Sequence, residues 1–226
     1  MVPPNVKAIF FDAVGTLIHP DPPAVDVYVE VGRRFGSRLP PQAIRANFIA
    51  AFKRQDALDY AKGLITSEAR ESERWRSIVA ESLVDVPDTS APFHELFTHF
   101  SHSTNWWCDP ESTTVLSELF RRGYLLGMAS NFDSRLRTIV RGMPGLKPVS
   151  QLVISSEVGW RKPATEFFHA MCEAAKLRPE EICFVGDNWT NDYQGAIDAG
   201  LKPLFLDLRQ RDGTGAAFIH SFLQLL

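Results

Sequence analysis

Cysteine is scarce in this chain, and its few cysteines form no recognisable pair. Cys108, Cys172 and Cys183 are an odd number, without the close spacing of a zinc site or a disulfide framework. We therefore expect reduced thiols and a cytoplasmic location. The N-terminal segment lacks a charged region followed by an apolar run and a cleavage site, so no secretory signal peptide is expected.

Long hydrophobic runs and an excess of positive charge are also missing. The longest uncharged apolar stretch, residues 123–132, has about half the length that a membrane-spanning helix needs. The 24 basic residues against 27 acidic ones give a formal net charge of −3, whereas a nucleic-acid-binding domain is typically basic. We expect a soluble protein with neither a membrane nor a nucleic acid as partner. The sequence does not predict its oligomeric state.

Short apolar runs separated by helical patterns dominate the sequence. Five runs are typical of buried strands, at residues 6–11, 124–129, 152–154, 182–185 and 204–206. Helical spacing of apolar residues lies between them, and a last helix is predicted over 218–223. Strands that are apolar on both faces and alternate with helices indicate an α/β fold, a doubly wound parallel sheet of the Rossmann-like kind.

Residues 19–106 interrupt this alternation. Strand-like runs are absent there, and apolar residues recur at helical spacing in four stripes, which contain Tyr28, Phe48, Trp75 and Phe97. Each stripe needs an apolar partner, so a small helical bundle is expected. We predict a core domain made of residues 1–18 and 107–226, with an α-helical cap domain of residues 19–106 inserted into it.

Polar residues follow the apolar runs where open parallel sheets bind their ligands. In chain order they are Asp12, Ser130 with Asn131, Lys162, and Asp187 with Asp192. Three crowded carboxylates repel one another unless a cation lies between them, and ligand sets made only of oxygen favour Mg²⁺. Lys162 and Ser130 would then face an anionic substrate.

Asp12 is the candidate nucleophile of this site. A carboxylate can attack phosphorus and form an aspartyl-phosphate intermediate. Phosphoryl transfer depends on positioning and on neutralising the charge of the phosphoryl oxygens. Asp187 and Asp192 would hold the metal. Lys162 would balance charge, and Ser130 would donate a hydrogen bond to a small phosphorylated substrate.

At these residues the chain resembles the haloacid dehalogenase (HAD) superfamily. Its motifs occur in the family's order, as Asp12 to Leu17, Ser130–Asn131, Lys162–Pro163, and Gly186–Asp187 with Asp192. The stretch from Gly186 to Ala196 is most similar to the REG-2-like branch, and the helical insertion lies where the family carries its C1 cap.

The resemblance implies specific roles for these residues. Asp12, Ser130 and Lys162 would be catalytic, and Ser130, Asn131 and Lys162 would bind the substrate. Mg²⁺ would be held by Asp12, the backbone carbonyl of Val14, Asp187 and Asp192.

Position 14 departs from the family's pattern. HAD phosphatases usually carry a second aspartate there, which protonates the leaving group and then activates water, whereas this chain has Val14. General acid–base catalysis contributes roughly 10²–10⁴ in rate. We therefore expect weak hydrolysis of alkyl phosphates and less dependence on the acid for acyl or aryl phosphates. His19, at the entrance to the insertion, is the nearest titratable group that could replace it.

The departure leaves other functions open. In a 2-haloacid dehalogenase the reaction needs no metal, and the fourth motif carries serine where this chain has Asp187. A phosphonoacetaldehyde hydrolase needs a lysine in the cap, for which Lys53 and Lys62 are available. A third alternative is a non-catalytic protein that keeps the phosphate site for binding or regulation.

Overall fold

The computed structural model describes residues 2–208 and 217–226. Six of its strands form one sheet in the order β5-β4-β1-β6-β7-β8, and every neighbouring pair in that sheet is parallel. The strands are β1 (Ala8–Phe11), β2 (Ile18–Pro20), β3 (Trp106–Cys108), β4 (Leu125–Ser130), β5 (Gln151–Ile154), β6 (Ile182–Gly186), β7 (Lys202–Leu206) and β8 (Phe218–Ile219). The short first strand therefore lies in the middle of the sheet.

Helices cover both faces of this sheet. The helices are α1 (Ala24–Arg34), α2 (Pro41–Ala61), α3 (Glu68–Ser82), α4 (Ser90–His99), α5 (Pro110–Arg121), α6 (Arg135–Arg141), α7 (Ser155–Val158), α8 (Thr165–Ala175) and α9 (Gly195–Asp198). Side chains of α5 and α6 pack into the apolar cluster on one face, and those of α8 and α9 pack into the cluster on the other. The predicted doubly wound α/β fold is confirmed. Within the described residues, no helix combines the length and the apolar character needed to cross a membrane.

Helices α1–α4, which we call the helical insert, form a separate apolar cluster between β2 and β3. The chain enters and leaves the insert through a two-stranded antiparallel ribbon, in which His19 of β2 faces Trp107 of β3. The four stripes of apolar residues correspond to these four helices. The boundaries predicted for a core and a cap domain stay a prediction.

The predicted C-terminal helix is wrong. Phe218 and Ile219 form β8, and residues Phe222–Leu225 form a single 3₁₀ turn. The backbone N–H of Phe205 donates to the carbonyl of Ala217 at 2.8 Å, so this segment satisfies the polar groups of the β7 edge. A helix of barely two turns is only marginally stable in isolation. Hydrogen bonding to the edge strand β7 therefore determines the structure of this segment.

Gly127 of β4 provides a test of the central packing. A Cβ at this position would lie 2.2 Å from Cε1 of Phe10, which is completely buried in β1. We expect Gly127→Ala to lower the free energy of unfolding by about 1–3 kcal/mol. In a double-mutant cycle measured by urea denaturation, Phe10→Leu should remove most of this penalty because it makes room for the methyl group. Additive effects of the two substitutions would contradict the steric explanation.

Candidate active site

Asp12 follows β1 directly and is 8% exposed. The tight turn after it brings the first motif, residues 12–17, against the end of β6. Gly15 in that turn has φ +95°, in the region that favours glycine, and a Cβ there would lie 2.7 Å from Oδ2 of Asp187. The Thr16 hydroxyl donates to Oδ1 of Asp187 at 3.3 Å. The glycine therefore allows two polar strand ends to approach closely.

Lys162 lies at the centre of the polar cluster and is 3% exposed. Its ammonium group donates to Oδ1 of Asp12 at 2.6 Å, to Oδ1 of Asp192 at 2.6 Å and to the carbonyl of Ala129 at 3.1 Å. Burial alone would lower the pKa of Lys162, but the charges and hydrogen bonds of Asp12 and Asp192 raise it overall. Lys162 is therefore held as a cation.

The end of β4 orients both Asp12 and Lys162. The Ser130 hydroxyl donates to Oδ1 of Asp12 at 2.9 Å. The Asn131 amide donates to the carbonyl of Lys162 at 3.0 Å and accepts from its backbone N–H at 2.7 Å. Asn131, predicted to bind substrate, thus holds the Lys162 backbone, and its role toward substrate stays a prediction.

Three carboxyl groups meet at this edge of the sheet. One side-chain oxygen from each of Asp12, Asp187 and Asp192 lies within 4.8 Å of the others. Asp192 is held in a π-helical turn, Trp189–Gln194, and accepts from the backbone N–H of Asn188 at 3.0 Å. Partial burial of the Asp187 carboxyl group and, second, the negative charge of Asp12 raise the pKa of Asp187 to about 6, although the residue keeps contact with solvent. Burial likewise raises the pKa of Asp192.

The donor set fits a divalent cation. Three carboxylates against the single ammonium of Lys162 leave an excess of negative charge, and the charge of Asp12 adds to the effect of burial in raising the pKa of Asp187. Oxygen ligands are those that Mg²⁺ prefers. Val14, the fourth predicted ligand, lies in the turn after Asp12, and the role of its carbonyl stays a prediction.

Neither Val14 nor His19 supplies an acid to this site. The Val14 side chain is 38% exposed and lines a cavity beneath the helical insert. Pro20 also lines this cavity, whereas His19 stacks on Trp107 at 4.8 Å between ring centres. Because side chains alternate along a strand, His19 lies on the opposite side of the ribbon from Pro20. Burial also lowers the pKa of His19, which disfavours its protonated form.

A buried ionic network joins the helical insert to the loop that carries Lys162. Arg161 is 6% exposed, donates to the carboxylate of Glu71 and lies 3.6 Å from that of Asp59. Asp59 also accepts from Arg70 and Arg74. This network could not be predicted from the sequence, because charged residues on helices usually face solvent and residue 161 is far in the chain from residues 59 and 71. Arg161 is therefore occupied within the protein.

Comparison with known proteins agrees with the fold and the motifs. The family model for haloacid dehalogenase-like hydrolase matches residues 6–200, so the chain belongs to the HAD-like hydrolase family. The human haloacid dehalogenase-like hydrolase domain-containing protein 3 is 31% identical over 87% of this chain and 80% of its own length. The rhythmically expressed gene 2 protein of Drosophila melanogaster is 28% identical over 86% of this chain and 80% of its own length. The resemblance to the REG-2-like branch is confirmed.

Solved structures with the same fold include proteins with different activities. The HAD phosphatase from Thermococcus onnurineus has a TM-score of 0.70 and 21% identity, covering 97% of this chain and 96% of its own. The L-2-haloacid dehalogenase from Xanthobacter autotrophicus has a TM-score of 0.74 and 16% identity, with 97% and 96% covered. At such identities the likeness shows the fold alone.

The Arg161 network leads to a stability prediction. Arg161→Leu should lower the free energy of unfolding by about 3–5 kcal/mol, because it leaves the buried carboxylate of Glu71 without its cation. Arg137→Leu is the matched control, since Arg137 pairs with Glu157 on the surface and such pairs contribute at most about 1 kcal/mol. Urea denaturation of both variants measures the difference. Equal losses would show that burial adds nothing to the Arg161 pair.

Proposed function

We propose that this chain is a Mg²⁺-dependent phosphohydrolase, which releases phosphate from a small phosphorylated molecule through an aspartyl-phosphate intermediate on Asp12. One observation carries the proposal: Lys162 and Ser130 both donate to Oδ1 of Asp12, next to the carboxylates of Asp187 and Asp192. A fixed carboxylate beside a cation and a hydroxyl donor suits attack on a phosphoryl group.

The reaction would proceed in two displacements. Asp12 attacks phosphorus, and the bond between phosphorus and the leaving oxygen breaks, with its electron pair remaining on that oxygen. A water molecule then attacks the phosphorus of the aspartyl phosphate, gives its protons to the released phosphate and the solvent, and restores the Asp12 carboxylate. Lys162 and Ser130 are positioned to donate to phosphoryl oxygens in both steps.

Asp12, Asp187 and Asp192 would hold the metal, together with the carbonyl of Val14. When bound there, Mg²⁺ would neutralise charge on the phosphoryl oxygens. Asn131 fixes the backbone of Lys162, so that its ammonium group stays within reach of Asp12. The helical insert would act as a cap that excludes water and determines substrate choice.

The donor set favours this function over haloacid dehalogenation. Attack by Asp12 on a carbon–halogen bond needs no metal, and it would gain nothing from the carboxylates of Asp187 and Asp192 close to the nucleophile. A protein that only binds phosphate remains an alternative, and turnover distinguishes it.

Cys108, Cys172 and Cys183 are all free, which supports a reducing compartment such as the cytoplasm.

Phosphate release tests the proposed function. With acetyl phosphate and Mg²⁺, the protein should release phosphate at a rate that falls to the uncatalysed level in EDTA and in Asp12→Asn, because both the cation and the nucleophile are needed. Turnover that survives in Asp12→Asn would contradict the assigned nucleophile. Absence of any release would favour the binding protein, and release of halide from a 2-haloacid without metal would favour the dehalogenase.

A gain of activity tests the significance of Val14. Because its side chain is partly exposed beside the nucleophile, aspartate should be tolerated there and should protonate a poor leaving group. We expect Val14→Asp to raise kcat/KM for an alkyl phosphate by about 10²-fold or more, with little gain for acetyl phosphate. Val14→Asn has nearly the same shape and transfers no proton. If both variants gain equally, proton transfer is not the cause.

A further inference from the structure

An apolar cavity of about 310 Å³ lies between the helical insert and the core. Aromatic side chains form most of its wall, among them Tyr28, Phe52, Trp75, Phe97 and Phe132. Ligand-binding cavities begin at about 300 Å³, and an apolar cavity of about 150 Å³ is enough for benzene. The space is therefore sufficient for one or two fused rings.

The cavity extends to the proposed reaction centre. Val14 and Asn131 both line it, and they lie two residues after Asp12 and one residue after Ser130. A group attached to a phosphate at Asp12 would therefore enter the cavity past Val14. The leaving oxygen would meet an apolar side chain there, where other phosphatases of this family usually carry an acid.

Among residues 2–208 and 217–226, the wall offers no free charge to a second anionic group. Arg135 is the one cation that these residues place on the wall, and both of its terminal branches are occupied. It donates to Asp133 at 2.7 Å from Nε and from Nη2, and to the carbonyl of Phe97 at 3.1 Å from Nη1. Its guanidinium carbon lies 3.6 Å from the centre of the Phe97 ring. A charged or polyhydroxylated group would lose its hydration here without compensation.

One polar group of the wall has spare hydrogen-bonding capacity. Tyr28 is 2% exposed, and within residues 2–208 and 217–226 its hydroxyl makes no hydrogen bond. Burial raises its pKa, so the hydroxyl keeps its proton and can donate it. The hydroxyl belongs to a residue of the cavity wall, so it can donate a hydrogen bond to an acceptor atom of a ligand there.

We propose that this cavity binds the leaving group of the substrate, a neutral aromatic group with one hydrogen-bond acceptor for Tyr28, so that the substrate is an aryl phosphate. The inference rests on the proposed phosphohydrolase function and adds its substrate class. When Asp12 attacks phosphorus, the phosphorus–oxygen bond breaks and the aryl oxide leaves with the electron pair. It then takes a proton from solvent.

Two independent features agree on an aryl leaving group. The aromatic wall fits a flat apolar group, and the valine at position 14 fits a leaving group that needs no acid. A phenol such as tyrosine has a pKa of about 10. Water, which resembles a simple alcohol, has a pKa of about 15.7. An aryl oxide therefore leaves unprotonated much more readily than an alkoxide.

The test compares phosphorylated substrates that differ only in the leaving group attached to the phosphate. Steady-state kcat/KM is measured with Mg²⁺ for acetyl phosphate, cyclohexyl phosphate, 2-naphthyl phosphate and 6-methoxy-2-naphthyl phosphate. We expect kcat/KM for 2-naphthyl phosphate to exceed kcat/KM for cyclohexyl phosphate by at least about 10²-fold. This factor is the lower end of the rate enhancement that a general acid usually provides. By calorimetry, 2-naphthylphosphonate, which cannot be hydrolysed, should bind more tightly than methylphosphonate.

Variants of the wall separate binding in the cavity from chemical reactivity. Ala24 lines the cavity and is partly exposed, so Ala24→Trp should fill the space and lower kcat/KM for 2-naphthyl phosphate by about tenfold or more. Acetyl phosphate should change little. Ala50→Trp, on the exposed side of α2, is the control. Tyr28→Phe should lower kcat/KM roughly two- to tenfold for the methoxy substrate alone.

The outcomes distinguish this inference from the proposed function. No Asp12-dependent release from acetyl phosphate would overturn both. Release from acetyl phosphate would uphold the phosphohydrolase. If 2-naphthyl phosphate were then no better than cyclohexyl phosphate, or if the naphthyl ligands were insensitive to Ala24→Trp, the cavity would not be the leaving-group site.

Discussion

The ammonium group of Lys162 lies between two buried carboxylates, 2.6 Å from an oxygen of each, and the architecture around the site maintains that arrangement. Asp12 comes from the end of β1 and Asp192 from the turn after β6, neighbouring strands of the same sheet. Without the cation the two acids and Asp187 would repel one another across a few ångströms. Lys162 is in turn fixed from the other side by Asn131.

Lys162 also explains how the helical insert is coupled to the site. The residue before it, Arg161, forms ion pairs with Glu71 and Asp59 of the insert, and the backbone N–H of Arg161 donates to the carbonyl of Leu64 at 2.9 Å. Consecutive residues of one loop thus contact the nucleophile and the insert. The insert in turn forms most of the apolar cavity that begins at Val14. The loop therefore holds the reaction centre and the proposed leaving-group site in one relative position.

The polar site could be predicted from sequence because its signals are local. Asp12, Ser130 and Asp187 each come at the end of an apolar run, and parallel strands bring such positions to the same edge of a sheet. The C-terminal helix was predicted wrongly because the interaction that decides this segment's structure is not local. Phe218 and Ile219 have spacing that suits a helix, but their backbone pairs with β7, a partner that local periodicity does not reveal.

The cavity and the ionic network could not be predicted for related reasons. Phe52 and Trp75 lie on apolar helix faces, and periodicity indicates which face is buried but not how completely the space in front of it is filled. Asp59 and Glu71 lie on helices where charged residues usually face water. Only the tertiary structure brings Arg161 to them.

The most direct measurement is the mass of the peptide that contains Asp12 after a single turnover. The protein is mixed with a slight excess of acetyl phosphate and Mg²⁺, quenched in acid within the first turnover, digested and analysed by mass spectrometry. We expect a phosphoryl group on Asp12, absent from Asp12→Asn and lost when the quench is delayed. Release of phosphate with Asp12 unmodified at every time would contradict it.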